Sequence, residues 1–231
     1  MKQSTKLSAF TLIELLIVIA VIGILAGMLF PAIKAVMNSA QGTRLANNGK
    51  QIVTAITSAN IDREANSKGS IWPPTSVGFS DSNAYFSKIM KKGELTGISV
   101  SMFAGGGVPA ASDEDDLANR GCVWSMLAGI ENCDDNMPFI WTRNMKITDK
   151  SKFESISTDA DGEDWKDYLD SEETPFNDQQ VVLARKGASF QVIKRKDLTD
   201  IVFLANSTNS AVEPVMAKLK DADVAGDDYW K

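Results

Sequence analysis

The sequence predicts an α+β protein. One long N-terminal helix, membrane-spanning in its first half and amphipathic in its second, packs on a β-sheet. Three observations point there. Leu15 to Ile33 is a run of 19 residues without a charge. As a helix rising ~1.5 Å per residue it reaches roughly 28 Å, close to the thickness of a bilayer core. Beyond it, Ile33, Val36, Met37 and Ala40, and again Ile52, Val53, Ile56 and Ala59, recur at the 3–4 spacing of a helix with one apolar face. Far downstream, Val181 to Lys194 reads as a hairpin turning near Lys186-Gly187.

Composition narrows the function classes. The 231 residues are 44% apolar and 23% charged, the balance of a folded chain. From Lys34 onward 22 Lys and Arg stand against 29 Asp and Glu. An acidic globular part argues against nucleic acid as a partner, because phosphate binding needs clustered cations. The chain has no histidine. Ser-His-Asp and Cys-His nucleophilic sites are therefore excluded, along with the commonest general base and metal ligand. No G-x-S-x-G motif is present either, so the chain reads as a non-enzyme.

The N-terminus carries the sharpest signal. Lys2 and Lys6 precede Phe10-Thr-Leu-Ile-Glu-Leu-Leu-Ile17, which opens the apolar run with a carboxylate at its fifth position. A cleaved secretory signal fits poorly, since its apolar core is shorter and free of acid. A plain anchor, oriented with its N-terminus in the cytoplasm by the two lysines, has no use for Glu14. A carboxylate at mid-helix costs about 2.5–3.5 kcal/mol on the insertion scale, less near the interface. Lys6 lies eight residues back, beyond the i,i+4 reach of one helix face. A cationic partner for Glu14 must come from another subunit or be made by processing, and cutting before Phe10 would create an α-amino group at membrane depth.

The string Ala9-Phe10-Thr11-Leu12-Ile13-Glu14-Leu15-Leu16 behind a short basic leader resembles the start of type IV pilins and of type II secretion pseudopilins. Gly23 and Pro31 also fall where that family carries a glycine and a proline. The resemblance covers about residues 1–60. It implies a pilin-like fold, with one long helix on an antiparallel sheet. It implies that a prepilin peptidase cuts between Ala9 and Phe10 and methylates the new Phe10 amine. Glu14 then pairs with that amine on a neighbouring subunit as the filament grows, a pairing favoured where an isolated carboxylate is costly. The implied partners are copies of the chain, other pilin-like subunits, the peptidase, an inner-membrane assembly platform and membrane lipid. The implied location is the inner membrane, crossed once, with the globular part outside the cytoplasm and assembled into a periplasmic or surface filament. The chain departs from the family at Ala9, where glycine is usual before the cut, which implies slower processing or a minor subunit. Gly23 and Gly27 form a GxxxG spacing that lets helices approach closely. With Pro31 they mark a stretch that in this family can unwind within filaments.

These readings divide the chain into a leader (1–9), the membrane-spanning half of the helix (10–33), its amphipathic half (34–60) and an extracytoplasmic globular domain (61–231). Gly42 and Gly49 interrupt the amphipathic half and predict a bend or frayed turn. Trp72-Pro73-Pro74 predicts an extended, rigid loop with an anchored ring. Asn83 to Lys92 reads as a short helix, Gly105-Gly106-Gly107 as a flexible loop, and Leu117 to Ile130 as a helix bearing Cys122. Pro138 to Met145 reads as a strand, and Ile201 to Ala205 as a strand or short helix.

Three further features invite chemistry. Cys122 and Cys133 are an even pair, which in an extracytoplasmic domain suggests one disulfide, the alternative being two buried thiols. Asp159 and Asp161 are the calcium candidates. Aligned on Gly162 they meet two positions of an EF-hand loop, but Tyr168 stands where the bidentate glutamate belongs. Asp113-Glu-Asp-Asp116 is a second acidic cluster, and both stretches also read as solvated loops. Trp72, Trp141 and Trp165 read equally as exposed binding aromatics or as core; the first leaves room for the rival function, a membrane-anchored binding module with a pilin-like anchor that does not assemble.

Overall fold

The structure, a computed structural model, describes residues 12–75, 81–154, 163–205 and 207–216. Helix α1 runs from Leu12 to Ala65. The chain divides into two units, Met1–Ala40 and Gln41–Lys231.

In the second unit a five-stranded antiparallel sheet has the order β4-β3-β2-β1-β5. Its strands are β1 (Trp124–Ala128), β2 (Pro138–Thr142), β3 (Gln180–Arg185), β4 (Phe190–Lys194) and β5 (Glu213–Val215). The central strands β1, β2 and β3 are buried at every residue. Strands covered on both faces read as unbroken apolar runs, not as alternation. This explains a misreading. Leu117 to Ile130 is not one helix: α3 (Glu114–Asn119) stops before Arg120-Gly121, and Trp124 to Ala128 is a strand. A short apolar run without periodicity fits either element.

The register sorts the core onto two faces. Trp124 pairs with Thr142, Trp141 with Leu183, and Val182 with Val192. Trp124, Thr142, Val182 and Val192 therefore share the face that residues 41–65 of α1 cover. A Cβ on Gly49 would lie 3.1 Å from the Trp124 ring and 3.4 Å from Ala184, and one on Gly42 would lie 3.3 Å from Val192. The predicted bend is absent: α1 is helical through both glycines, and they are there because the helix backbone lies close on the sheet. Trp141 points to the other face, where its ring meets Phe153 at 6.2 Å and Phe203 at 6.0 Å. Phe203 lies in α5 (Asp200–Leu204), and it also packs at 4.6 Å on Trp165 of α4 (Glu163–Asp167).

Loops are fixed by polar groups that find partners inside. Asn60 of α1 accepts from the Ile71 N–H at 3.1 Å, and the Tyr85 hydroxyl of α2 (Ser82–Lys91) donates to the Ile71 carbonyl at 3.0 Å. Together they hold the Trp72-Pro73-Pro74 loop, whose indole packs edge-on against Phe139 at 5.2 Å. Arg185 is 6% exposed. It donates to the Phe203 carbonyl at 2.6 Å and the Val202 carbonyl at 2.7 Å, satisfying the C-terminal end of α5. The Gly105–Gly107 loop is packed against its surroundings. Gly105 and Val108 exchange backbone hydrogen bonds, and Gly106 has a φ of 57° with no room for a Cβ against Pro175.

Candidate functional site

The first unit contains the segment that the sequence singles out. Glu14 lies in the first turn of α1, where the helix dipole favours an acid. Seventeen large apolar side chains from Leu12 to Met37 are exposed along this segment, including Leu12 at 89% and Phe30 at 72%. Each gains about 1.5–3 kcal/mol on leaving water, so the segment belongs in lipid or among other helices. By length and composition α1 is the helix among the described residues able to cross a membrane. A Cβ added at Gly23 or at Gly27 meets nothing within 4 Å. The pair is a smooth patch on a bare helix. The helix continues through Pro31 without a break. Ala9 and Phe10, the expected cleavage pair, lie outside the described residues.

Residues 6–30 carry the prokaryotic N-terminal methylation motif. This motif is the signature of the prepilin-type signal of type IV pilins and pseudopilins. The motif supports a pilin-like substrate of prepilin peptidase and indicates a structural protein. The apolar helix that follows fits membrane anchoring. The α+β layout, a long helix with an antiparallel five-stranded sheet, agrees with a pilin-like fold. Neither the curated proteins nor the solved structures provide a match to the chain.

The disulfide is corrected by the structure. Cys122 and Cys133 are free thiols, and β1 stands between them. The Cys122 sulfur accepts from the Trp124 N–H at 3.3 Å at one end of the strand. The Cys133 sulfur lies 3.8 Å from the Gly129 carbonyl at the other. From Trp124 to Gly129 an extended chain covers roughly 16 Å, whereas a disulfide needs Cα atoms within about 7 Å. Sequence spacing hid this because eleven residues close a loop easily unless a strand straightens them. Burial pushes the Cys122 thiol up to about 12, the state of an inert core residue. Cys133 is also raised by burial, against the Asn209 amide that donates to its sulfur.

The calcium candidates Asp159 and Asp161 lie outside the described residues. The other acidic cluster has a structural use. Asp113 caps α3 by accepting from the Asp116 N–H at 2.8 Å. Asp116 accepts from the Ser112 N–H and pairs with Arg120 at 2.6 Å, which together hold its carboxyl below the usual range. Asp115 pairs with Lys91.

The tryptophans belong to the core. Trp72 is 6% exposed, and Trp141 and Trp165 are fully buried. Sequence reasoning missed Arg143, which lies next to β2 and is 6% exposed. It pairs with Glu173 at 2.5 Å and donates to the Thr174 carbonyl at 3.3 Å, anchoring the loop ahead of β3. Nothing in the sequence distinguishes it from a surface arginine.

Proposed function

We propose that the chain is a structural subunit of a pilus-like filament, a type II secretion pseudopilus or a type IV pilus. In this reading the leader is cut between Ala9 and Phe10 at the cytoplasmic face, and the new Phe10 amine is methylated. Residues 10–33 cross the inner membrane once, and the globular domain lies outside the cytoplasm. Glu14 docks on the Phe10 amine of a neighbouring subunit. Other copies, other pilin-like subunits and the assembly platform meet the chain through its N-terminal helix.

The observation that carries this reading is the methylation motif at residues 6–30, with a helix described from Leu12 whose apolar side chains are exposed. A plain anchor explains the exposure but not the motif. The rival reading, a non-assembling binding module, needs exposed tryptophans, and Trp72, Trp141 and Trp165 are in the core.

Mass spectrometry of the mature N-terminus tests the processing step. The expected result is an N-methylated Phe10; retention of Met1 in the membrane-bound protein would overturn the reading. Glu14→Ala is expected to insert normally and to stop filament formation, as seen by electron microscopy of sheared cells. Normal filaments from that variant would remove the pairing role from Glu14.

A further inference from the structure

The two edges of the sheet are built differently. β5 has three residues, with Pro214 in the middle. Proline lacks the N–H that a further strand would need, so this edge is closed to pairing. β4 has five residues, each in register with β3. Among the described residues, no strand lies beyond it.

We propose that the open edge of β4 accepts an extended acidic segment of a partner protein as a sixth strand. The Arg195 N–H donates to the Gln179 carbonyl and the Arg185 N–H to the Ser189 carbonyl, both at 2.8 Å. Residues 189, 191, 193 and 195 therefore turn their backbone groups toward β3. Antiparallel alternation then points the N–H and C=O of Phe190 and Val192 outwards. Phe190 is 43% exposed, and Gln191 is exposed beside it. The middle of this edge is uncharged and can pair.

Charge at its ends selects the partner. Lys50 lies 5.9 Å above the Phe190 ring, and Lys194 and Lys196 are exposed at the far end. Asp178 is held by Arg195 at 3.0 Å, and Asp197 is the exposed carboxylate next to these cations. Lysines on an edge strand also discourage pairing with like strands. Here they flank an uncharged centre, so they repel basic segments and attract acidic ones. The side chains meeting the incoming strand are one aromatic ring and cations at both ends. The fitting segment alternates Asp or Glu with apolar residues, and main-chain hydrogen bonds supply the affinity.

The test uses the full chain in detergent micelles and three fluorescent nine-residue peptides read by anisotropy. The first alternates Asp and Val, the second replaces Asp by Lys, and the third is the acidic peptide with alternate amides N-methylated. Saturable binding of the first is expected, with the other two at least about tenfold weaker, the loss expected from charge reversal or from removing several hydrogen bonds. Val192→Pro removes an outward N–H, not one bonded to β3. It is expected to weaken the acidic peptide about tenfold. Failure of the acidic peptide to bind, or equal binding of its N-methylated form, overturns the proposal. The N-methylated control holds even if Val192→Pro misfolds. Both results are independent of whether the chain forms filaments.

Discussion

The same helix treats its apolar side chains in two opposite ways. From Leu12 to Met37 the large ones are exposed, whereas between Gln41 and Ala65 Leu45, Ile52, Val53 and Ile56 are at most 1% exposed. Glycines follow the same division. Gly23 and Gly27 have open space around them, and Gly42 and Gly49 have none. The second region is finished by its own chain, with a sheet already packed on it. The first keeps its large apolar side chains exposed among the described residues. Residue types separate the two regions, since Leu15 to Ile33 carries no charge and the stretch 41–65 does, but the presence of glycine does not.

The largest effects are expected in the region that completes itself. Trp141→Ala should destabilise the folded chain by about 3–5 kcal/mol through the cavity it leaves, with membrane retention unchanged. Arg143→Met should cost less, about 1–3 kcal/mol, because the partly buried Glu173 loses its hydrogen-bonded guanidinium but keeps Lys146 at 3.6 Å. Urea unfolding in detergent, followed by tryptophan fluorescence for the arginine variant and by far-UV circular dichroism for both, measures each. If either variant keeps its midpoint, the packing described for this region is wrong.

The glycines sharpen the contrast. Gly49→Leu should cost about 1–3 kcal/mol by forcing Trp124 aside. Gly23→Ala touches nothing in the chain and should gain up to about 1 kcal/mol of helix propensity, while filament yield falls. Should Gly23→Ala lower the unfolding midpoint of the monomer, the first region has partners inside its own chain.

The smallest effect is electrostatic. Lys146 donates to Asp170 at 2.6 Å, which lowers the Asp170 carboxyl and raises the Lys146 ammonium. The carboxyl contribution is present above its unfolded pKa and fades as pH falls through the lowered folded value. The ammonium contribution is full below the usual lysine pKa and fades as pH rises through the raised one. The pair therefore acts across the neutral range. Lys146 is half exposed, so screening holds the stabilisation to about 0–1 kcal/mol. Lys146→Met should flatten the acid limb of the midpoint-against-pH curve slightly, and an unchanged limb would dismiss the pair.

The parts of the fold that were readable had strong local signals. The long helix had its apolar run and 3–4 spacing, and β3 and β4 had two short apolar stretches on either side of the Lys186-Gly187 turn. α2 was readable as a short helix over nearly its whole length. β1 was not, since a strand buried on both faces loses its alternation. The purpose of Gly42 and Gly49 was invisible because it depends on Trp124, Ala184 and Val192, which are remote in sequence. At the candidate site the motif and Glu14 were plain in the residues. The separation of Cys122 from Cys133 was not, because it depends on the strand that separates them.

That separation makes the chain its own gauge of folding. Cys122 is sealed in the core, and Cys133 is partly open. An alkylating reagent should add one mass tag to the native chain and two to the unfolded one. Counting tags by mass spectrometry then reports the folded fraction inside membranes or filaments, where optical methods fail, without adding a label or changing a residue.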